Sequence, residues 1–452
     1  MLRKVKINNF KSFKNFKLEQ LDKFNVIMAP NNTGKSNLIE AFRFLKYAVV
    51  DVKKAIEEFG GFDNIKNIFL EEKIIKFECE FFKEKILSVG LRNKYINEVI
   101  NGKRKTPASE EYIEVFKNIY IKLELEIFEN GHWIKHYYIK GRFGKRSNNL
   151  PLEDFNIFSK TFDQEAQKIK TYPFEIKVSY TTDFEKNEEH QSLLKLRNEI
   201  IKKELVFIDA KDKENLLYAL GLNSLIEKNY SVFSGNSNLL KLDDYFYAYS
   251  FYPEIIKSSF KGGKFLRFDG TNLVEVLKFI LDILPENFEI ISNSLIGIVE
   301  ELNDIEIGKD LIDRNILLLK EKDKLLPFNI TSDGTINLLT LLTAVFEPIQ
   351  KEMLIFDEIE KHLHLKAIDY ILEVLKEQKF QVIFTTQSIE ILNNLNLKKD
   401  NLIFLYRDDE GFTKAINTKK IPNFNKKIKR YKDITTIIRN EVLGYLGDFD
   451  EN

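Results

Sequence analysis

Residues 24–50 restrict the fold of this chain more than any other stretch. FNVIM (24–28) is a short apolar run, APNNTGKS (29–36) interrupts it, and a helical pattern follows with Leu38, Phe42, Leu45 and Val49 on one face. Strand, polar loop and helix in that order form the context required by the phosphate-binding pattern G-x-x-x-x-G-K-[ST]. Gly34, Lys35 and Ser36 fill its last three positions, and Ala29 stands where the first glycine belongs. In such a loop the backbone N–H groups and the following helix N-terminus converge on an anion with about half a unit of positive charge. Asn31, Asn32, Thr33, Gly34, Lys35, Ser36 and Asn37 are therefore the candidate phosphate ligands. Lys35 supplies a point charge to β- and γ-phosphates, and the Ser36 hydroxyl is a candidate Mg²⁺ ligand. If the first position needs a positive φ, alanine there costs about 1–2 kcal/mol.

A second motif lies near the other end of the chain. MLIF (353–356) is a continuous apolar strand ending in Asp357 and Glu358. Two carboxylates at the end of a buried strand are costly unless they serve a cation or a reaction. Asp357 is the candidate Mg²⁺ residue, and Glu358 the candidate that orients or deprotonates a water. AIDYILEVLKEQK (367–379) is amphipathic and VIFTT (382–386) is a second buried strand, which makes a parallel βαβ unit. Elsewhere LRKVKI (2–7) and the stretch 73–142 alternate as strands. Helices are expected at 191–205, at 213–228 and over 271–304, the last broken near Pro285 with Thr271 as N-cap.

NFKSF (9–13), APNNTGKSNLIEA (29–41), GGFDNI (60–65), TSDGTINLLTLLTA (331–344) and IFDEIEKHLH (355–364) occur in that order. Together they resemble the ABC-type ATPase heads of the SMC/RecF superfamily. The nearest resemblance is to the OLD-type (overcoming lysogenization defect) AAA ATPases of anti-phage systems of the Gabija, Septu and PARIS kinds. The resemblance implies an α/β head, a mixed sheet with a parallel core plus an antiparallel β lobe, carrying an inserted mainly helical arm. It divides the chain into an N-terminal lobe (1–149), an arm for dimerisation or partner contacts (150–250) and a C-terminal lobe (251–452). It implies ATP and Mg²⁺ as cofactors and Lys11 as a further nucleotide contact. It also implies a signature in which Ser332 and Gly334 hold the γ-phosphate of ATP bound to a second copy, as in a homodimer or higher oligomer with sandwiched ATP. Gln387, in TTQS (385–388), replaces the usual switch histidine; it can donate a hydrogen bond but cannot titrate. No glutamine occurs between 21 and 163, so the Q-loop residue is missing, with Asn64 or Asn67 as its candidate substitute. Ile359 and Leu365 replace two customary prolines. These departures imply slow or partner-gated hydrolysis.

Composition limits the remaining choices. Lys+Arg and Asp+Glu both total 69, which excludes a wholesale polycation that coats nucleic acid. The single cysteine, Cys79, excludes a disulfide framework and a cysteine-based zinc site within one chain. No apolar run approaches the roughly 18–20 residues of a membrane span, so a cytoplasmic protein with no membrane partner is expected. His362 and His364 with Glu360, and His132 with His136, are poorly spaced for a metal. Asp408, Asp409 and Glu410 read as a turn, and 64 residues after Ser388 are too few for a Toprim nuclease, so any nuclease or toxin effector is expected to be a separate protein. A basic strip at 414–432, with Phe424 and Tyr431 interleaved, keeps DNA contact open. Two readings follow: a sensor and regulatory scaffold for a separate effector in anti-phage defence, or a DNA-repair or chromosome-maintenance ATPase of the RecF/SMC type that binds double-stranded DNA. A degenerate ATP-binding protein without turnover is a third.

Overall fold

The computed structural model describes residues 1–85, 116–143, 153–163, 168–172, 246–349, 351–424, 428, 431 and 434–443. In chain order its principal elements are β1 (Leu2–Asn8), β2 (Phe16–Glu19), β3 (Phe24–Met28), α1 (Lys35–Val50), α2 (Val52–Glu58), α3 (Phe62–Ile65), β4 (Ile74–Lys85), β5 (Phe116–Phe128), β6 (Trp133–Phe143), β7 (Glu153–Asp163), β8 (Lys168–Tyr172) and β9 (Tyr247–Tyr249). They continue with α4 (Pro253–Lys257), α5 (Leu273–Ile283), α6 (Pro285–Ile298), β10 (Leu302–Lys309), β11 (Asn315–Glu321), β12 (Lys324–Pro327), α7 (Asp333–Phe346), β13 (Met353–Phe356), α8 (Leu365–Glu377), β14 (Gln381–Thr386), β15 (Asn401–Arg407) and β16 (Thr413–Asn417). The chain divides into two compact units, one built from Asn9–Leu70 with Leu242–Asn452 and the other from Leu2–Asn8 with Glu71–Lys241. These boundaries differ from the expected 149/150 and 250/251. The long antiparallel strands stay with their hydrogen-bonded neighbours, and β9 joins the parallel sheet.

In the second unit β1 pairs antiparallel with β4, and β5, β6, β7 and β8 follow as successive antiparallel neighbours. Alternation decides its faces. Ile75, Phe77, Cys79 and Phe81 on β4 and Ile121, Leu123, Leu125 and Ile127 on β5 are buried. Between them, charged residues pair across the strands, with Lys6 2.6 Å and Lys122 3.1 Å from Glu78. Cys79 is wholly buried, and burial pushes its thiol far above the ordinary value. The described part of 150–172 is strand, where a mainly helical arm was expected. The helices expected at 191–205 and 213–228 lie outside the described residues.

The first unit holds a six-stranded sheet in the order β16-β15-β3-β14-β13-β9. All neighbours are parallel except β15 and β16. Every residue of β3, β13 and β14 is buried, as expected of strands covered on both faces. The parallel pair β13 and β14, joined by α8, is the βαβ unit read from the sequence. Met28 lies opposite Thr386 and Phe356 opposite Phe384, so the carboxyl ends of β3, β14 and β13 stand side by side. The chain is thus of the α/β class, with a mixed sheet that has a parallel core and a separate antiparallel sheet, as the sequence led one to expect.

The 271–304 stretch does break at Pro285, which opens α6, where its missing N–H costs nothing. The N-cap of α5 is Asn272 rather than Thr271, because the Thr271 hydroxyl is engaged 2.6 Å from Asp269 Oδ1. The helix ends at Ile298, short of the expected 304, and residues 302–327 form a three-stranded antiparallel sheet in the order β10-β11-β12.

Candidate functional site

The loop between β3 and α1 shows where its unusual backbone lies. Ala29 is buried, donates its N–H to Thr386 O at 3.1 Å, and is not among the residues with positive φ. The missing first glycine therefore carries no left-handed penalty. The left-handed positions are Asn32, at φ 61°, and Gly34, at φ 101°. Asparagine tolerates that region, and Gly34 is required for space as well. A Cβ there would lie 2.5 Å from Thr413 Oγ1 and 2.8 Å from Ser12 Oγ. Lys35 opens α1 with its side chain 5 % exposed. Its Nζ donates to Ala29 O at 3.2 Å and Pro30 O at 3.0 Å, and stands 3.6 Å from Glu358 Oε1.

The acidic side of the site comes from the end of β13. The Asp357 N–H donates to Tyr249 O at 2.9 Å, and its Oδ1 accepts from Thr385 Oγ1 at 2.7 Å. Ser250 Oγ lies 3.4 Å from Oδ2, and the Ser36 hydroxyl also bonds this carboxylate. Burial pushes the Asp357 carboxyl above its ordinary range and the Glu358 charge adds to this; the Thr385 and Ser36 bonds and the Lys35 charge oppose it. A desolvated carboxylate beside a hydroxyl on a helix N-terminus suits a hard divalent cation. Ser36 and Asp357 would hold Mg²⁺, which when bound neutralises charge on the phosphate oxygens. Glu358 differs from its neighbour. Its backbone is left-handed at φ 45°, its N–H donates to Thr385 Oγ1 at 2.9 Å, and its side chain is 25 % exposed. One carboxylate is thus buried for binding and the next is open to solvent, on a backbone of the strained kind that clusters at functional sites.

The other candidates have contacts of their own. Gln387 is exposed, and its N–H donates to Glu360 Oε1 at 2.8 Å. Burial pushes the Glu360 carboxyl upward, against the Gln387 and Thr386 hydrogen bonds. Ser332 caps α7 by accepting the Thr335 N–H at 3.1 Å. Gly334 allows a close approach, since a Cβ there would meet His362 O at 2.5 Å. Asp333 pairs with Lys257 at 2.6 Å. Lys11 is engaged with Glu40 of α1. Asn64 donates to Gly60 O at 2.8 Å, and Asn67 is buried with its N–H on Asn9. His364 caps α8 through Nδ1 at 3.3 Å.

In the basic strip, Lys414 donates to Lys14 O at 2.8 Å, Lys419 lies 2.6 Å from Asp22, and Lys420 lies 3.5 Å from Glu19. Phe424 is buried against Phe404. Lys426, Lys427, Lys429, Arg430 and Lys432 lie outside the described residues.

The structure adds Ser12, Ser250, Glu360, Thr385, Arg407 and Thr413 to the site. Ser12 and Thr385 sit inside NFKSF and TTQS, motifs that sequence reasoning had singled out for other residues. Arg407 and Thr413 flank the turn at 408–411 and carry no local signal, because pairing of distant strands brings them to the loop.

A protein of Helicobacter pylori (strain ATCC 700392 / 26695) named ATP/GTP phosphatase is 51% identical over 45 residues, which is 10% of this chain and 12% of that protein. The match thus spans a small part of that relative's length. Among solved structures, the SMC head bound to the C-winged helix domain of ScpA aligns with TM-score 0.44 and 16% identity over 92% of this chain and 97% of that one. The SMC head domain from Thermotoga maritima aligns with TM-score 0.38 and 12% identity over 92% and 98%. The profile of one family matches residues 152–393, more than half of the chain, including the α7 cap, the acidic strand and TTQS. The chain belongs to that family, described as "AAA domain, putative AbiEii toxin, Type IV TA system".

Proposed function

We propose that this chain binds ATP with Mg²⁺ and hydrolyses it slowly, under the control of a partner, as an OLD-like sensor and regulatory scaffold for a separate effector in anti-phage defence. One observation carries the enzymatic part. Lys35 Nζ is 3.6 Å from Glu358 Oε1, while the Ser36 hydroxyl bonds Asp357, so the phosphate loop and the acidic strand share one site. Lys35 transfers its charge from Glu358 to the incoming phosphates, and Glu358 is then free to orient a water and take its proton. Gln387 donates to the γ-phosphate without titrating, which suits slow turnover. A second copy supplies Ser332 and Gly334, and a homodimer or higher oligomer completes the site. The relative's name, a nucleotide phosphatase, supports the ATPase part of this reading, and the family description, which joins an AAA domain to a toxin–antitoxin system, supports the defence setting but not the separate effector. The paired state of Lys414, Lys419 and Lys420 weighs against an open phosphate-binding strip for DNA.

ATP hydrolysis by the purified chain, with and without linear double-stranded DNA, tests the proposal. Slow turnover indifferent to DNA is expected. Lys35→Ala loses ATP binding. Glu358→Gln keeps binding and loses roughly 10²-fold or more in rate. DNA-stimulated turnover would replace the scaffold reading with the repair ATPase. No turnover in the unmodified chain would remove Glu358 from its role.

A further inference from the structure

We infer that Thr413 and Arg407, on the β15–β16 hairpin, are positioning residues that hold the phosphate loop in its anion-receiving form through the loop's outward carbonyls. The inference rests on the nucleotide reading above and extends it to residues outside every motif.

A loop that directs its N–H groups at an anion alternates its backbone conformation and turns its carbonyls away. Here the alternation is carried by Asn32 and Gly34, both left-handed, on either side of Thr33. Carbonyls turned outward need donors if the arrangement is to be stable before the anion arrives. The hairpin provides them. Arg407 places Nε 3.0 Å and Nη2 2.8 Å from Asn32 O, two arms of one rigid fork on a single acceptor. Its Nη1 is engaged with Gly411 O of the same turn, which fixes the fork to the hairpin. Thr413 Oγ1 lies 2.9 Å from Thr33 O.

The proton direction at Thr413 follows from chemistry. Its hydroxyl has one proton, and Thr33 O can only accept, so the proton goes there. Ser12 Oγ, 2.8 Å from Thr413 Oγ1, then donates to Thr413 and accepts from Asn37 Nδ2 at 2.9 Å. The result is a one-way chain from Asn37 of α1 through Ser12 and Thr413 to Thr33 O. Such chains polarise and strengthen each other in a buried setting. Thr413 is fully buried and Thr33 is 8 % exposed. The Thr413 N–H on Ser12 O at 3.1 Å holds the relay in register.

The test is a titration of the full chain with ATP and Mg²⁺, together with steady-state kinetics. Thr413→Val keeps the shape and removes the donor. It is expected to weaken binding tenfold or more and to raise KM with kcat within about threefold, since the hydroxyl acts on the loop and not on the reaction. Thr413→Ser restores the donor and is expected to bind within about threefold of the unmodified chain. Amide hydrogen exchange at 30–36 without nucleotide should quicken in the valine variant only. If Thr413→Val does not fold, Arg407→Gln tests the other brace with the same readouts. Unchanged binding and exchange in a folded Thr413→Val or Arg407→Gln chain overturns the inference. An unmodified chain that binds no ATP overturns the nucleotide reading and this inference with it, whereas the variants failing alone overturn the inference only.

Discussion

Lys351 shows how a single side chain can set a pH dependence. Its side chain is 1 % exposed and that of Glu347 is 0 % exposed, with Nζ 3.5 Å from Glu347 Oε1. Nζ also donates to Ala344 O and Val345 O at the end of α7. The Glu347 carboxylate accepts the Tyr249 hydroxyl at 2.9 Å and the Leu266 N–H at 2.8 Å. Burial lowers the Lys351 ammonium from 10.5 to about 8, against the pull of Glu347. Unfolded, the group keeps its proton up to 10.5; folded, it releases it near 8. Between those values the unfolded state binds more protons, so this group makes stability rise with pH. Urea unfolding across that window should show the unmodified chain gaining on Lys351→Met. A constant difference between the two would remove Lys351 as the source. None of this was visible in the sequence, where Lys351 is one charge in a polar turn. The placement of Lys35, Ser36, Asp357 and Glu358 was legible because it depends on position within a short strand–loop pattern. That of Glu360 and Thr413 was not, because it depends on which distant strand ends up alongside.

Helices and strands were more legible than the joints between them. The continuous apolar runs at β3, β13 and β14 and the amphipathic α8 gave correct elements, since burial on two faces or one leaves distinct periods. The edge strand β9 was missed, for three residues are too few to show a period. The cap of α7 meets the loop after β13 at one tight contact, and this contact can be tested. Gly334→Ala places a Cβ 2.5 Å from His362 O, a backbone atom that cannot swing aside. The substitution should cost about 1–3 kcal/mol, read by chemical denaturation, with proportionate loss of ATP turnover. A loss below about 0.5 kcal/mol would show that the His362 turn yields freely.

At the scale of the molecule, a candidate site drawn from opposite ends of the sequence makes the parallel sheet an assembly of non-local pairings, the kind that folds slowly. The antiparallel unit has a different use. Its buried Cys79 is the one thiol among 452 residues. Deprotonation is suppressed and access closed, so a disulfide reagent such as Ellman's should react with the native chain roughly 10³-fold more slowly than with the urea-unfolded chain. Fast reaction would mean that β4 opens readily under native conditions. Slow reaction makes the unmodified chain a silent background for site-directed labelling. A cysteine introduced beside Ser332 could then carry a dye or a crosslinker without competition, and crosslinks between such cysteines would reveal whether two heads meet when ATP is added.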